Sequence, residues 1–269
     1  MIPGRTPAPS GQEHGAFKLN AGMAPPTAKE VRALFNRKAG SWPSKYAPKG
    51  KLNARLRQFT LRLGQLSPPP GRVLDLGCGT GEMAAAFGRM GYQVTACDIA
   101  EAMVDMARRT HPGPTVVWAC LDPDWRVLPY EDGGFDAIVA SSVFEYLTDV
   151  QHAATELSRV LRPGGILLLT VPNPFSRVRR LEGWLRKMLS HRRFLSLLSK
   201  VRCLDSYAAY LLLSRNRFGQ DGWRSVLSSA HFAALEERDF SKDAWRRRAK
   251  APLLLLAVRR VGAGPQRPA

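Results

Sequence analysis

A predicted strand, a glycine-rich turn and a helix follow directly after three prolines, and this arrangement limits the possible folds more than any other feature. The prolines at 68–70 end the preceding helical pattern, because consecutive prolines lack amide donors and hold the backbone away from helix. The apolar run 72–77 leads into Gly77, Gly79 and Gly81, and residues 82–90 have helix-forming composition. The pattern therefore predicts a buried strand that ends in a tight glycine loop.

Apolar strands alternate with helices through the rest of the chain. The predicted strands are 72–77, 92–98, 115–120, 135–141, 164–172, 234–240 and 252–260, and the predicted helices are 82–90, 99–110, 150–161 and 223–232. Such alternation favours a parallel sheet with helices on both faces. We expect a disordered tail (1–26), an N-terminal helical cap (27–70) and an α/β domain (71–269) with an inserted helical lid (174–217).

The glycine loop and Asp98 predict a nucleoside-binding site. Glycines permit positive φ and carry no Cβ, so a ligand can approach the backbone closely at the carboxyl end of the strand. Asp98 ends the next predicted strand, where its carboxylate can accept two hydrogen bonds from a ribose diol or can cap the following helix. NAD is the natural competitor, but the loop reads G-x-G-x-G with an acid two residues before its first glycine, unlike the dinucleotide pattern.

Several motifs in this order resemble those of a known family. They are DLGCGTG at 75–81, Asp98, LPY at 128–130 followed by FDAIVASSVFEYLTD at 135–149, and LRPGGILLLTVPNP at 161–174. The set is similar to the class I S-adenosylmethionine-dependent methyltransferases, most of all to the ubiquinone and menaquinone methyltransferases and their small-molecule relatives. The resemblance implies a doubly wound, mostly parallel, Rossmann-like sheet of seven strands whose last strand is antiparallel, with S-adenosylmethionine as cofactor.

The resemblance also implies the residues that hold this cofactor. The implied contacts are Asp75, Gly77, Cys78, Gly79, Gly81 and Ser141 at the methionine end, Asp98 at the ribose, and Ile99 and Met103 against the adenine. An acid that binds the adenine amine is expected in the segment 119–130, where both Asp122 and Asp124 are available. The spacing to Leu128 slightly favours Asp124.

Methyl transfer from a sulfonium is a single in-line displacement, so the protein must chiefly align the reactants and exclude water. A general base is needed only when the nucleophile starts protonated with a high pKa. Relatives often carry Leu-Glu-His after the fourth strand, whereas this chain has Phe144-Glu145-Tyr146. Glu145 and Tyr146 are the candidate catalytic residues, either as base or to orient the substrate. No metal-ligand cluster stands out in the motifs, so we expect activity to survive a chelator.

The charge is unevenly distributed along the 269 residues, whose formal total is +18. Residues 29–62 carry a net +9, residues 72–175 a net −6, and residues 176–217 a net +9 from eleven basic and two acidic residues. The basic segments favour an acceptor that carries carboxylate or phosphate, or one presented at an anionic membrane surface. Methylation of RNA is the less favoured alternative, since no N-P-P-Y-type motif is present. A further alternative is a cofactor-binding scaffold that has lost its catalytic activity.

The predicted lid alternates large apolar residues with arginine and lysine at near-helical spacing, which indicates basic amphipathic helices. In an open α/β sheet an insertion at this point lies over the ligand-binding opening. The apolar face of the helix around Trp184 to Leu189 needs a partner, which could be the opening of the sheet, an apolar acceptor or a membrane interface. We expect this helix to close over a small or lipid-linked acceptor that is part apolar and part anionic and is methylated at oxygen. The candidate substrate-binding residues are Trp42, Tyr46, Trp184, Tyr207 and Tyr210.

Location is predicted from the absence of sorting signals. No apolar run in the sequence is long enough to span a bilayer, and residues 1–26 do not resemble a secretory signal. The four cysteines, at 78, 97, 120 and 203, have no C-x-x-C spacing and fit reduced thiols. We expect a cytoplasmic protein, with peripheral contact at the membrane as an extension of that prediction.

Overall fold

The structure, a computed structural model, describes residues 27–50, 52–189 and 202–262. The predicted disordered tail 1–26 and residues 190–201 of the predicted lid lie outside the described residues. The helices are α1 Ala28–Lys38, α2 Asn53–Leu66, α3 Glu82–Arg89, α4 Glu101–Thr110, α5 Val150–Val160, α6 Arg177–Leu189, α7 Arg202–Leu213, α8 Gln220–Ser229 and α9 Lys242–Arg247. The strands are β1 Arg72–Leu76, β2 Gln93–Asp98, β3 Val116–Cys120, β4 Phe135–Ala140, β5 Leu161–Pro172, β6 Phe232–Ala234 and β7 Leu253–Arg260.

The strands form one seven-stranded sheet in the order β3-β2-β1-β4-β5-β7-β6. Strands β1 to β5 pair in parallel, and β7 runs antiparallel to both β5 and β6. The predicted mostly parallel sheet with an antiparallel last strand is thus confirmed. The strand order reverses at β1, between β2 and β4, and the carboxyl ends of strands at such a switch point form the usual ligand crevice of open α/β sheets.

The sheet has a hydrophobic core on each face because side chains of a strand point alternately to its two sides. Leu74 and Ile138 belong to the core covered by α5 and α8, whereas Val73 and Val139 belong to the core covered by α2 and α3. Both faces are therefore buried, which explains why the central strands read as continuous apolar runs. None of the described helices is long and apolar enough to cross a membrane.

The two helices of the N-terminal cap have different roles. Helix α1 begins at a capping box in which Thr27 and Glu30 each accept a hydrogen bond from the other's backbone N–H. It packs against α4 and α7 and so borders the carboxyl edge of the sheet. Helix α2 instead buries Phe59 and Leu63 completely against the sheet face that α3 also covers.

The end of the chain differs from the prediction of a strand over 234–240. Helix α8 ends before His231, which adopts φ +62°, and the short strand β6 starts at Phe232. Residues 237–240 form a 3₁₀ turn, which buries Phe240 and accepts a hydrogen bond from the indole N–H of Trp245 at the Asp239 carbonyl. The sequence pattern failed here because the apolar residues of this segment pack into a turn and the unpredicted helix α9, rather than alternating along a strand.

Candidate functional site

A cavity of about 910 Å³ lies at the carboxyl ends of β1 to β4, beneath α1, α6 and α7. The sequence-predicted residues that line it are Asp75, Gly77, Cys78, Gly79, Asp98, Ile99, Met103, Asp124, Ser141, Glu145, Tyr146, Trp42, Tyr46, Tyr207 and Tyr210. Three predicted residues, Gly81, Asp122 and Trp184, are not among those that line it. The structure therefore brings together most residues of both predicted sites in one continuous space.

The glycine loop after β1 is shaped by close contacts that exclude side chains. The amides of Gly77 and Cys78 both donate to the Cys97 carbonyl, at 2.7 and 3.0 Å. Gly77 has φ +72°, and a Cβ there would lie 2.4 Å from Val143 Cγ2. Gly81 has φ +89°, and a Cβ there would lie 2.5 Å from the Trp118 ring. Gly81 thus allows the start of α3 to pack on β3 but does not face the cavity.

Asp75 is buried at the wall of the cavity, and its Oδ2 atom has no hydrogen-bond partner. The pKa of Asp75 is raised to about 7, chiefly by burial and to a smaller extent by the neighbouring charge of Asp98. An unpaired buried carboxylate oxygen is costly and is rare in folded proteins. The atom therefore fits a ligand group that donates hydrogen bonds or carries positive charge, as the ammonium group of a methionine moiety does.

Asp98 connects the glycine loop to the end of β2. Its Oδ2 accepts from the Gly79 amide at 2.9 Å, and its Oδ1 accepts from the Ala100 amide at 2.8 Å. Asp98 is not the N-cap of α4, because that position is taken by Ala100. Burial raises the pKa of Asp98, although the backbone donors oppose the shift. Each carboxylate oxygen keeps a further lone pair, so the group can still accept from a diol.

The two acids that the sequence left open have different surroundings. Asp122 Oδ1 accepts from the Asp124 amide at 2.7 Å and so stabilises the turn between them. Asp124 lines the cavity, and its Oδ2 lies 4.0 Å from Lys29 Nζ. Ile99 and Met103 line the same end of the cavity. The geometry favours Asp124 over Asp122 as the residue available to a ligand.

Aromatic side chains from α1, the turn after it, the β4–α5 loop and α7 also line the cavity. Phe35 packs edge-on against Trp42 and Tyr146, with ring centroids 5.6 and 5.3 Å apart. Tyr146 in turn contacts Tyr210 at 6.2 Å. Burial raises the pKa of Tyr46, Tyr146 and Tyr210 well above the usual range of tyrosine. These phenols therefore stay protonated at neutral pH and can donate hydrogen bonds.

Glu145 belongs to a buried ion-pair network. Its carboxylate accepts from Ser214 Oγ at 2.7 Å and lies 3.1 Å from Arg179 Nη2. Arg179 also pairs with Glu182 at 3.1 Å and donates to the Tyr210 hydroxyl at 2.8 Å. This network joins the β4–α5 loop to α6 and α7, so the Glu145 carboxylate is already engaged by two donors.

Arg55 and Ser142 are cavity residues that the sequence analysis missed. Arg55 Nη1 donates to Ser142 Oγ at 2.7 Å, and Ser142 has φ +60° with its amide bound to Thr170 Oγ1 at 2.8 Å. Burial lowers the pKa of Arg55. No carboxylate lies within 4 Å of Arg55 among residues 27–50, 52–189 and 202–262. The sequence did contain a sign that Arg55 faces inwards, because it lies on the same side of α2 as the buried Phe59 and Leu63.

Helix α6 has the opposite orientation to the one predicted. Arg179 and Glu182 face inwards and are buried, whereas Leu181 and Trp184 are 57% and 56% exposed. Trp184 therefore does not line the cavity in this structure, and its contact with an acceptor stays a prediction. The charged side of α6 faces inwards because Arg179 forms buried ion pairs with Glu145 and Glu182 there.

The histidines and acids that the structure describes are too scattered to suggest a metal centre. His152 lines the cavity near Arg126, and its Nε2 is bound to the Arg126 carbonyl. In the described part of the chain, no three His, Cys, Asp or Glu side chains are grouped so that they could hold a metal ion. Metal-independent activity stays a prediction.

Comparison with known sequences identifies related proteins. A sequence profile described as "Methyltransferase domain" matches residues 74–169. The chain is 33% identical over 175 residues to a demethylmenaquinone methyltransferase of Clavibacter sepedonicus, a match covering 63% of this chain and 69% of that protein. It is 34% identical over 141 residues to a malonyl-[acyl-carrier protein] O-methyltransferase of Serratia marcescens, covering 52% and 51%. The chain spans about half the length of several such curated relatives.

Solved structures show the same fold at lower sequence identity. The 1,6-didemethyltoxoflavin-N1-methyltransferase of Burkholderia thailandensis aligns with a TM-score of 0.57 at 17% identity, covering 87% of this chain and 89% of that one. Its structure was solved with 1,6-didemethyltoxoflavin and S-adenosylhomocysteine bound. At this identity the similarity concerns the fold alone.

Proposed function

Since the chain belongs to the class I S-adenosylmethionine-dependent methyltransferases, we propose that it methylates an oxygen atom of a small or lipid-linked acceptor that carries an anionic group. S-adenosylmethionine, when bound, supplies a methyl group on a positively charged sulfur atom. The observation that carries the choice of acceptor is Arg55, a cation in the cavity wall whose described neighbours within hydrogen-bonding distance include a hydroxyl but no carboxylate.

The cofactor end of the cavity supports a binding role for the predicted residues. We propose that Asp75 binds the ammonium group, Asp98 the ribose hydroxyls and Asp124 the adenine amine. Ile99 and Met103 would pack on the adenine, and the remaining contacts would come from Gly77, Cys78, Gly79 and Ser141. The unpaired Oδ2 of Asp75 supports this arrangement, because a cationic ligand would satisfy the oxygen and favour its ionised form.

Arg55 supports an anionic acceptor on energetic grounds. Even a half-buried guanidinium is costly unless a counter-charge accompanies it, and the Ser142 hydroxyl is neutral. Glu145 acts on Arg55 only from a distance and is paired directly with Arg179. A carboxylate or phenolate of the acceptor would therefore complete the charge balance at this wall. The planar guanidinium group of arginine can bind a carboxylate through two parallel hydrogen bonds.

The acceptor end offers hydrogen-bond donors in place of a free base. Glu145 is occupied by Arg179 and Ser214, and the neighbouring tyrosines have raised pKa values. We therefore propose that Glu145 is a positioning residue and that Tyr146 donates a hydrogen bond to the acceptor. An acceptor oxygen that is already ionised at neutral pH needs no base for the displacement. Transfer to oxygen also agrees with the name of the Serratia relative, an O-methyltransferase.

The proposal is tested by methyl transfer from labelled S-adenosylmethionine to matched acceptors. The probes are a malonyl thioester, a prenylated dihydroxybenzoate and the carboxamide of that benzoate. We expect kcat/KM for the carboxylate form to exceed that for its carboxamide by at least about tenfold, the scale of one hydrogen bond to a charged group. In Arg55→Gln this ratio should fall below about threefold, while cofactor affinity stays unchanged.

Two results would contradict the proposal. One is equal methylation of the carboxylate and the carboxamide by the wild-type protein. The other is transfer of label to added RNA while all three probes stay unlabelled, which would favour the nucleic-acid alternative. Arg57→Gln is the control, because Arg57 is an exposed arginine on the same helix and does not line the cavity.

A further inference from the structure

The outward face of α6 is apolar. Val178, Leu181 and Trp184 are 49%, 57% and 56% exposed, and Leu185 is half-buried beside them. Their spacing of three to four residues gathers them on one side of the helix. Large apolar side chains scattered singly on a surface are ordinary, but a group on one helix face indicates a contact surface. We call these four residues the outer stripe.

The outer stripe cannot be turned inwards without breaking the buried face of α6. Arg179 bonds to Glu145 and Glu182 and donates to the Pro252 carbonyl at 3.0 Å. Arg186 donates to the Ser214 carbonyl at 2.7 Å. Rotation of the helix would leave these charges unpaired away from water, at a large cost. The apolar face is therefore held outwards by the same contacts that fix the helix to the domain.

The charge around the outer stripe indicates the chemistry of what it contacts. Arg177 and Arg180 are exposed on the same side of α6. An apolar stripe with tryptophan and leucine, bordered by arginines, is the composition of helices that lie in the headgroup region of anionic membranes. We propose that the outer stripe of α6 docks the protein on an anionic lipid surface.

The stripe also continues to the mouth of the cavity. Val178 belongs both to the outer stripe and to the cavity wall, and Tyr207 of α7 lines the cavity while remaining 43% exposed. Docking of α6 would therefore bring the acceptor end of the cavity next to the lipid. Delivery of a lipid-linked acceptor by this route rests on the proposed function, whereas binding to the lipid surface does not.

Sedimentation of the full-length protein with vesicles tests the docking surface directly. The probes are vesicles of pure phosphatidylcholine and vesicles containing about one third phosphatidylglycerol, at moderate salt and without cofactor or acceptor. We expect the wild type to bind the anionic vesicles and to bind the neutral ones at least about tenfold more weakly. The double variant Leu181→Ser/Trp184→Ser should bind anionic vesicles about tenfold more weakly, and so should Arg177→Glu/Arg180→Glu.

Matched controls lie elsewhere on the surface. Leu61→Ser changes a leucine that is 63% exposed on α2, and Arg109→Glu changes an exposed arginine on α4, so both should bind as the wild type does. The proposal is overturned if the Leu181/Trp184 variant sediments like the wild type. It is also overturned if sedimentation equilibrium shows that the wild type is a dimer and the Leu181/Trp184 variant is a monomer, because a second copy would then cover the stripe. Cofactor titration of the same variants separates these outcomes from failure of the proposed function.

Discussion

The glycine loop after β1 and helix α6 both border the cavity, but the sequence specifies them in different ways. In the loop, backbone geometry is set by residue type: Gly77 has positive φ and no room for a Cβ beside Val143. In α6, the sequence supplies two usable faces, one apolar and one charged, and the choice between them depends on residues far along the chain. Glu145 and Ser214 decide it by pairing with Arg179 and Arg186.

A glycine motif therefore limits the structure more tightly than an amphipathic pattern does. A glycine loop after a strand has few alternatives because only glycine tolerates the required conformation. An amphipathic pattern shows only that the two faces of a helix differ in polarity, and does not show which face is buried. When the charged face finds buried counter-charges, the apolar face can be the outer one, as Trp184 shows.

The largest expected effect is on stability, from removal of the charge that orients α6. Arg179→Met should lower the free energy of unfolding by about 3–5 kcal/mol, because Glu145 would remain buried without its cation and Glu182 would keep only Arg217. Arg180→Met, one residue away on the exposed face, should change it by no more than about 0.5 kcal/mol. Urea unfolding of both variants measures the difference.

A rescue variant sharpens that test. Adding Glu145→Gln to Arg179→Met removes the uncompensated carboxylate and should recover part of the lost stability, while Glu182 keeps its ion pair with Arg217. Equal stability of the Arg179 and Arg180 single variants would contradict the view that buried ion pairs orient the helix.

The next effect concerns Asp75 and depends on pH. Because its folded pKa of about 7 lies above the unfolded value, the fold favours the protonated carboxyl, and that contribution is lost as pH rises through 7. Asp75→Asn cannot ionise, so it should be more stable than the wild type by about 2–4 kcal/mol at pH 8, and by less than half as much at pH 5. It should bind S-adenosylmethionine more weakly, because the ammonium group loses its anionic partner.

Unfolding at both pH values checks this prediction. Glu101→Gln, an exposed acid on α4, is the control and should show little difference from the wild type at either pH. A variant at Asp75 whose stability advantage is the same at pH 5 and pH 8 would contradict the assigned pKa shift.

The sheet was predictable because local signals and long-range packing agree there. The alternation of apolar strands and helices predicted six of the seven strands, and the candidate residues Asp75, Asp98 and Ser141 lie at or near the carboxyl ends of strands and line the cavity. The acceptor end was less predictable, because Arg55 reaches the cavity from α2 and bonds to Ser142, 87 residues along the chain. The strand expected at 234–240 failed for a similar reason, since tertiary packing of Phe240 and Trp245 overrides the local pattern.

Calorimetric titration with S-adenosylhomocysteine most directly tests the central claim, that one cavity has a cofactor end at the glycine loop and a separate acceptor end at Arg55. We expect saturable binding to the wild type, weaker by about 1.5–3 kcal/mol in Asp98→Ala, the scale of hydrogen bonds to a charged group. In Arg55→Gln we expect an affinity within about threefold of the wild type. No heat with S-adenosylhomocysteine but saturable binding of NAD would contradict the cofactor site, and equal weakening in both variants would contradict the separation of the two ends.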